Sequence, residues 1–423
     1  MDTLSLKKLN THPLNLICII CACIVPLLVT GPFLPDLIIS FLSIWFLYFT
    51  IKNKIYYIYK NIYFYFFISF WLICILSSLF SDNVPFSLKA SFFYVRIGIF
   101  SLLIFYLIDH NKKILDYFYY SFVITFGILI IDGFIQFFSG FNIIGLPLRE
   151  NFRVSSFFGS ELILGSYLAR LFPLFLALFF IRKEKKFFEI FFFLILFLGV
   201  YIMVLISGGR SSFLFMNLAI IFLLIFIYDH KYLKAVLFLI ALTITIIIFI
   251  KNDRMYNRWF GPFYSSLTAV KSLALKFDGQ NHGYIVSAAH DSFLKVSLQM
   301  FKEKPILGHG PKMFRVECNK LKLKKIDVIC STHPHNFYVQ ALAETGFVGF
   351  IFLNGLLIYF IYIVLKLTIY RFIFNKKFLS NYQICLLAGL LITIWPLNTN
   401  GNIFNNMLMM TYGLQMGFFR KII

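Results

Sequence analysis

Apolar runs long enough to cross a bilayer recur along almost the whole chain, and they limit its possible folds more than any other feature. Each run covers roughly 17 to 25 residues, the length that a helix needs to span the hydrocarbon core. Lipid offers no water to unpaired backbone groups, so such segments must satisfy their hydrogen bonds within helices. Twelve runs are centred near residues 22, 42, 71, 100, 127, 171, 197, 219, 242, 356, 389 and 410. The sequence therefore predicts an all-α polytopic membrane protein with about 12 transmembrane helices.

Basic residues are distributed unevenly between the two sides of these runs. If the N-terminus is cytoplasmic, nineteen Lys and Arg residues fall in the segments on that side. The short outer segments contain only Lys89, Arg149, Arg153 and Arg210. Because basic loops stay on the cytoplasmic side, this asymmetry predicts that both termini are cytoplasmic. In a chain that is 60% hydrophobic, the net charge of +21 points to membrane lipids as partners and not to nucleic acid.

One long segment interrupts the succession of apolar runs. Residues 251–335 are polar, carry 14 Lys and Arg against 6 Asp and Glu, and follow the ninth run on the outer side. Long loops cross membranes largely regardless of their charge, and a connection of this length is usually a functional lid or small domain. We divide the chain into helices one to nine (residues 1–250), the long outer loop (251–335), and an interfacial helix with helices ten to twelve (336–423).

Two histidines stand where the long loop enters the tenth run, in the stretch THPHNFYVQALAETGFVGF. His333 and His335 flank a proline, and Asn336 is available as the N-cap of a short helix over Phe337–Glu344, which Gly346 then breaks. An imidazole that titrates near neutral pH is suited to general-base catalysis. The alternative is that both histidines are solvated loop residues and that Asn336 is only a helix cap.

Two arginines lie in short outer turns. Arg153 is part of NFRVSSFFGSE, and Arg210 is part of SGGRSSF. The planar guanidinium fork binds two phosphate oxygens and stays charged, so two such groups beside an imidazole suit a diphosphate leaving group next to a general base. The alternative for each arginine is contact with lipid headgroups at the membrane surface.

Two further arginines fall inside apolar runs. Arg96 lies in the outer half of the fourth run and Arg170 near the middle of the sixth. A charge at such a depth is costly and suggests a functional site, so Arg96 is a candidate substrate-binding residue. A structural ion pair, for example with Asp132 or Glu161, is the alternative. Asp132, Gln136 and Glu161 cluster near the outer boundary and are expected to line one cavity.

Cys318 and Cys330 both lie in the long outer loop. An oxidising compartment would allow a disulfide there, which would fix the segment before His333. The alternative is a zinc site, but the spacing C-x11-C-x2-H-x-H matches no standard zinc pattern and favours the disulfide. The sequence contains no P-loop, no Asp-x-Asp pair in an outer loop and no nucleophile elbow, so we expect neither a metal nor a cofactor.

The pair His335-Asn336, followed after nine residues by Gly346 and then Gly349, resembles the H-N-x9-G signature of the O-antigen ligase and polymerase superfamily. The resemblance covers spans five to ten. Further features similar to that superfamily are the glycine turn of PILGHGPKMF, the arginine of SGGRSSF, Arg153, and Gln136 in GFIQFFSG. One departure is the stretch 159–161 (Gly-Ser-Glu), where relatives often have an Asn-Pro-Asn-like sequence, so the role of its glutamate is open.

The resemblance implies a metal-independent glycosyltransferase of the GT-C type in the bacterial inner (cytoplasmic) membrane, with its active site on the periplasmic face. Its donor would be an undecaprenyl-diphosphate-linked glycan, and it would need no cofactor. Arg153 and Arg210 would hold the donor diphosphate. His335 would accept the proton of the acceptor hydroxyl, oriented by Asn336 and assisted by His333.

Within this superfamily we expect an O-antigen ligase, which transfers the glycan to a sugar hydroxyl of lipid A–core in lipopolysaccharide biosynthesis. The single long loop favours this over an O-antigen polymerase, because polymerases more often divide the task between two loops. A protein-directed O-oligosaccharyltransferase is a third member of the same class. A polysaccharide transporter or flippase is the alternative from another class, although the chain has no two matching halves.

Overall fold

The computed structural model describes residues 11–149, 153–182, 187–229, 231–253, 255–261, 288–323, 328–397 and 401–419. These segments contain helices and connecting turns, with two isolated β-bridges and no strand among them. Residues 262–287 and 324–327 of the outer loop lie outside the described residues, as do seven basic residues that the sequence assigns to the cytoplasmic side: Lys7, Lys8, Lys183, Lys185, Lys186, Arg420 and Lys421.

Sixteen helices are labelled in chain order, and residues 255–261 form a further helical segment. Their bounds are α1 Thr11–Ala22, α2 Ile24–Leu27, α3 Phe33–Lys52, α4 Ile62–Leu79, α5 Val84–Phe92, α6 Val95–His110, α7 Lys113–Ser139, α8 Leu164–Ile181, α9 Phe187–Ile206, α10 Arg210–Phe226, α11 Lys231–Lys251, α12 Ala288–Glu303, α13 Phe314–Leu323, α14 Phe337–Thr368, α15 Asn381–Ile394 and α16 Asn406–Gly417.

Each of the twelve centres predicted from the sequence lies inside one of these helices. Within the described residues, eight helical stretches are long and apolar enough to cross a membrane. They are Phe33–Lys52, Ile62–Leu79, Val84–His110, Lys113–Ser139, Leu164–Ile181, Phe187–Ile206, Lys234–Lys251 and Phe337–Ile373. Shorter apolar helices cover Leu14–Thr30, α10 and α15, and the last centre falls in α16, which has 12 residues. The protein is thus a helical, multi-pass membrane protein.

The centre of the bundle is α8, which packs against α9, α10 and α15. Its apolar side chains are buried on all sides, from Leu164 to Phe179, as expected for a helix with no polar face. Arg170 is the one charged residue of this helix and is only 3% exposed. A charge buried to this extent within a membrane protein is costly, which makes the surroundings of Arg170 relevant to function.

The outer loop builds a small apolar core of its own. Helices α12 and α13 pack on each other and on the first turns of α14. The residues buried in this core are Phe293, Val296, Met300, Phe314, Cys318, Leu321 and Ala343. Both α12 and α13 place their apolar residues on the side that faces this core, so the loop provides a fixed support for the segment that enters α14.

Candidate functional site

Asn336 is the N-cap of α14, as the sequence predicts. Its side-chain Oδ1 accepts hydrogen bonds from the main-chain N–H groups of Tyr338 (3.0 Å) and Val339 (3.1 Å), which have no partner within the helix. Its Nδ2 donates to the carbonyl oxygen of Pro396 at 2.7 Å. One side chain therefore begins the helix and also attaches it to the segment that follows α15.

The predicted break at Gly346 is also present. This residue has φ 64° and ψ −163°, a conformation open almost only to glycine, and it separates a first helical part of nine residues from the membrane part of α14. At a rise of about 1.5 Å per residue, the first part is about 14 Å long. The nine residues between Asn336 and Gly346 thus set the length of a short helix between a cap and a kink.

The glycine turn of PILGHGPKMF holds this kink. The main-chain N–H groups of His309 and Gly310 donate to the carbonyl oxygens of Ala343 (3.1 Å) and Glu344 (2.8 Å). The N–H of Gly308 donates to Lys304 at 3.1 Å. All three amides are used within the chain, so this turn supports the helix and does not form a phosphate cradle.

The two histidines lie next to each other but face different surroundings. Their ring centroids are 4.0 Å apart. His333 lines a large polar cavity, whereas His335 packs on Phe293 with a centroid distance of 5.3 Å and has its Nε2 3.2 Å from Ser331 Oγ. His335 has φ 60°, which is uncommon for a residue with a side chain. A third histidine, His290, lies 6.1 Å from His335 by ring centroids and was not identified from the sequence.

The disulfide between Cys318 and Cys330 is formed, with a Cα–Cα distance of 5.7 Å. It joins α13 to the segment that leads into the histidines. The same segment is attached to α12, because the N–H of Ile329 donates to Ser292 Oγ at 2.7 Å. With both sulfurs bonded to each other, the zinc alternative loses two of its ligands.

Three arginines converge at the turn between α9 and α10. Arg153 Nε donates to the carbonyl oxygen of Ser207 at 3.0 Å, and Arg258 Nε donates to that of Gly208 at 2.9 Å. Arg210 is the first residue of α10, immediately after this turn. Burial and the neighbouring Arg258 and Arg210 lower the pKa of Arg153 to about 10, so it remains charged at neutral pH. We name Arg153, Arg210 and Arg258 the arginine cluster.

Two properties of the arginine cluster suit an anionic ligand. No carboxylate of the described residues lies within 4.0 Å of any of the three guanidinium groups. Burial and Arg210 also lower the pKa of Arg258, since three like charges share a small space. Arg258 was missed from the sequence because it belongs to no motif and reaches the cluster only through the fold of the outer loop.

The cavity beside His333 has a volume of about 720 Å³. Its walls come from the turn after α2, the loop before α8, the residues before and within α13, and the beginning of α16. The charged and imidazole side chains that line it are Glu161, Arg170, Lys312, Arg315 and His333; three asparagines, Asn402, Asn405 and Asn406, line it as well. We name it the polar cavity. Lys312, Arg315 and the asparagines were not identified as site residues from the sequence.

The buried polar residues divide between the polar cavity and structural roles. Glu161 and Arg170 line the polar cavity, as expected for Glu161. Asp132 and Gln136 are fully buried and do not line it. Asp132 accepts a hydrogen bond from the N–H of Ile143 (2.9 Å). Gln136 Oε1 accepts from the N–H groups of Ser155 (2.9 Å) and Ser156 (2.7 Å). The prediction of one shared cavity is therefore wrong for these two, which hold the loop after α7 in place.

Arg96 forms an ion pair with Asp36 of α3, and its guanidinium lies 5.7 Å from the centroid of Phe93. The suggested partners Asp132 and Glu161 were wrong for this residue, since Asp36 is 60 positions away in sequence and is brought close only by the packing of α3 on α6. Arg96 does not line the polar cavity, although its charge acts on Lys312.

Among the described residues, one group has the side chains of a metal site. Atoms of Asp82, His309 and Glu317 lie within 4.8 Å of one another. Lys304 Nζ is 2.5 Å from Asp82, and Lys320 Nζ is 2.8 Å from Glu317 and 3.3 Å from Asp82. These two ammonium groups lower the pKa of Asp82 and neutralise the carboxylates that a cation would need.

Comparison with curated protein sequences gives no match to this chain. Residues 191–353 match the family model described as O-antigen ligase. The matched range begins in α9 and ends in α14, so it contains Arg210, Arg258, the outer loop, the disulfide and both histidines. Over these residues, the protein is similar to the family that this model describes.

Proposed function

We propose that this protein is an O-antigen ligase, a metal-independent membrane glycosyltransferase of the bacterial inner membrane. It has about twelve spans in a GT-C-type arrangement with the outer loop in the periplasm. It transfers a glycan from undecaprenyl diphosphate to a sugar hydroxyl of lipid A–core. The observation that carries the proposal is the position of His333 at a cavity lined by three basic side chains, with His335 beside it, within the range that matches the family model.

The reaction needs a base for the acceptor and a partner for the leaving group. His335 accepts the proton of the acceptor hydroxyl while that oxygen attacks the anomeric carbon of the donor sugar. A new C–O bond forms, and the bond from the anomeric carbon to the diphosphate oxygen breaks, with inversion at that carbon. The electron pair leaves with undecaprenyl diphosphate, whose negative charge is stabilised by Arg153 and Arg210.

The neighbouring residues give these two steps their geometry. Asn336 fixes the start of α14 and so the main chain of His335, and His333 assists from 4.0 Å away. Arg258 adds a third charge at the donor diphosphate. Arg96 contributes to substrate binding indirectly, because its charge acts on Lys312, which lines the polar cavity.

An O-antigen polymerase would use the same donor and chemistry, because the family model does not separate the two acceptors. The two are separated by deleting the gene, running lipopolysaccharide on a gel and probing for undecaprenyl-linked glycan. Bare lipid A–core with long chains retained on the undecaprenyl carrier supports a ligase. Core capped by a single repeat identifies a polymerase, and an unchanged gel in a strain without a second such enzyme points to a transporter, a flippase or a protein-directed enzyme.

Complementation tests the assigned base. Wild type and His110→Ala are expected to restore the glycan-bearing lipopolysaccharide, since His110 lies at the end of α6. His335→Ala is expected to leave bare core at an equal amount of protein in the membrane, because a positioned general base contributes about 10²- to 10⁴-fold. Restoration by His335→Ala would show that this histidine is not the base and that the H-N segment only begins a helix.

A further inference from the structure

The charge of the polar cavity suits an anion, and of its basic residues the sequence singles out only Arg170. Three cations line it, Arg170, Lys312 and Arg315, against the single carboxylate of Glu161. Its volume of about 720 Å³ is in the range of sites that hold a small organic ligand. A cavity with this charge balance binds a cation poorly and concentrates anions.

Lys312 and Arg315 have no carboxylate partner among the described residues, for which no ion pair within 4.0 Å involves either side chain. Arg315 Nε is buried and makes no hydrogen bond to a described residue. Burial and the nearby Arg315 lower the pKa of Lys312. The carboxyl group of Glu344 acts on both charges, and that of Asp36 on Lys312, but neither lines the polar cavity or forms an ion pair with these side chains. Phosphate oxygens inside the cavity would therefore stabilise both cations.

The fold holds these two cations in place. Lys312 has φ 66°, a conformation that few residues other than glycine adopt. After Lys312, the N–H of Phe314 donates to Glu344 Oε1 at 3.0 Å, and the N–H of Met313 donates to the carbonyl oxygen of Gly310 at 3.1 Å. Before it, the N–H of Gly310 donates to the carbonyl oxygen of Glu344 at 2.8 Å, so the chain on both sides of Lys312 is fixed to α14. A basic residue kept in a rare conformation by its surroundings is typical of a functional position.

The polar cavity is separate from the arginine cluster. None of Arg153, Arg210 and Arg258 lines it. The loop before α8 joins the two: Arg153 at its start contacts the α9–α10 turn, while Phe157 and Glu161 further along line the cavity. The described structure thus contains two groups of cations, and a transfer between two glycolipids needs to hold two substrates.

We propose that Arg170, Lys312 and Arg315 bind a phosphate or diphosphate group of a glycolipid inside the polar cavity, beside His333. That this glycolipid is a substrate rests on the proposed function. The same phosphate chemistry is present in two sources, the donor diphosphate and the phosphates of lipid A–core. The binding itself requires no catalysis, so it is measured independently of transfer.

The test uses the purified full-length protein in detergent and inorganic diphosphate as the probe, titrated by calorimetry. Lys312→Gln and Arg315→Gln are expected to weaken binding about tenfold each, the value for one lost charge-assisted hydrogen bond. Lys320→Gln is the matched control, because Lys320 lies on the same helix as Arg315 but contacts Glu317 and Asp82. Unchanged affinity in both cavity variants would overturn the proposal.

Two competitors then identify the source of the phosphate. Displacement of the probe by farnesyl diphosphate but not by diphosphoryl lipid A assigns the cavity to the donor, and the reverse assigns it to the acceptor. Lys312→Arg and Arg315→Lys, which keep the charge, are expected to retain binding where the glutamine variants lose it. If the glutamine variants bind diphosphate more weakly but restore normal lipopolysaccharide in complemented cells, the cavity binds phosphate but is not used in ligation. If they bind diphosphate normally but leave bare core, the cavity is not the phosphate site.

Discussion

Gly308 and Gly346 face each other at a distance that leaves no room for a side chain on either. A Cβ on Gly308 would lie 2.6 Å from the main-chain nitrogen of Gly346, and a Cβ on Gly346 would lie 2.6 Å from that of Gly308. Both have positive φ, 67° and 64°. The two glycines that the sequence places 38 positions apart are therefore one structural unit, formed where the outer loop touches the kink of α14.

Replacing either glycine is expected to destabilise this contact. Gly346→Ala places a side chain in a glycine-only conformation, at a cost of about 1–3 kcal/mol before any clash. Thermal unfolding of the purified protein should show a lower midpoint for Gly346→Ala and Gly308→Ala. Gly355→Ala is the control, since no atom lies within 4 Å of its Cβ position on the same helix. Equal midpoints in all three variants would contradict the contact.

Removal of the disulfide is expected to loosen the segment before the histidines. A bridge that closes 12 residues contributes about 3 kcal/mol in the chain-entropy model. Cys318→Ala with Cys330→Ala should lower the unfolding midpoint and reduce transfer. A reducing agent should lower the unfolding midpoint of the wild type and leave that of the double variant unchanged. If the reductant also lowers the midpoint of the double variant, its effect does not come from the Cys318–Cys330 bridge.

Asn336 both caps α14 and bonds to Pro396, and two substitutions distinguish these roles. Asn336→Ala loses both the cap and the bond to Pro396, and the cap alone is worth about 1 kcal/mol. Asn336→Asp keeps an oxygen acceptor for Tyr338 and Val339 but loses the donor to Pro396. If the cap is what positions the histidines, transfer should be lower in the alanine variant than in the aspartate variant. Equal loss in both would assign the effect to the Pro396 contact.

The pH dependence of transfer should report on Arg153. Its pKa is lowered from 12.5 to about 10, which means that the folded protein disfavours the charged guanidinium. The free-energy cost of holding that charge is present in full below pH 10 and decreases as the pH rises above 10. Through this group, transfer should be constant from pH 7 to about 9 and fall as pH rises through 10. Arg153→Lys should shift the fall to lower pH, because an amine starts from a lower pKa. Identical profiles would show that position 153 need not be charged.

Chelation is expected to leave transfer by the purified protein unchanged. The carboxylates of Asp82 and Glu317 are already bound by Lys304 and Lys320, and neither carboxylate lines the polar cavity. The measurement compares initial rates before and after dialysis against a chelator. A loss that Mg²⁺ or Zn²⁺ restores would show that the reaction uses a metal.

Local features of this protein could be predicted from the sequence to a large extent. Apolar length predicted where helices lie, and the Asn336 cap, the Gly346 break and the Cys318–Cys330 bridge are each specified by residues close together in the chain. Such features depend on backbone preference, capping and covalent chemistry, which act over a few residues. The fold adds little to them beyond confirming their geometry.

Features that depend on distant residues could not be predicted. Arg96 pairs with Asp36 across α3 and α6, and Arg258 meets Arg153 through the folded outer loop. Lys312 faces the polar cavity because its turn is fixed to α14. No periodicity or motif indicates what these side chains contact, since the contacts follow from the packing of segments that are far apart in sequence.

The kink at Gly346 divides α14 into two parts with different attachments. The first nine residues of α14 are tied at the outer side, by Asn336 to Pro396 and by Gln340 to Asn402 at 2.9 Å. The apolar part beyond Gly346 has few buried residues and belongs to a stretch long enough to cross a membrane, and such helices tilt to match the thickness of the bilayer. The first residues beyond the kink are attached to the outer loop as well, because the N–H groups of Phe347 and Val348 donate to the carbonyl oxygens of Pro305 (2.8 Å) and Ile306 (3.3 Å). We therefore expect tilting to be taken up further along the helix, so that the imidazoles keep their orientation when the lipid composition of the membrane changes.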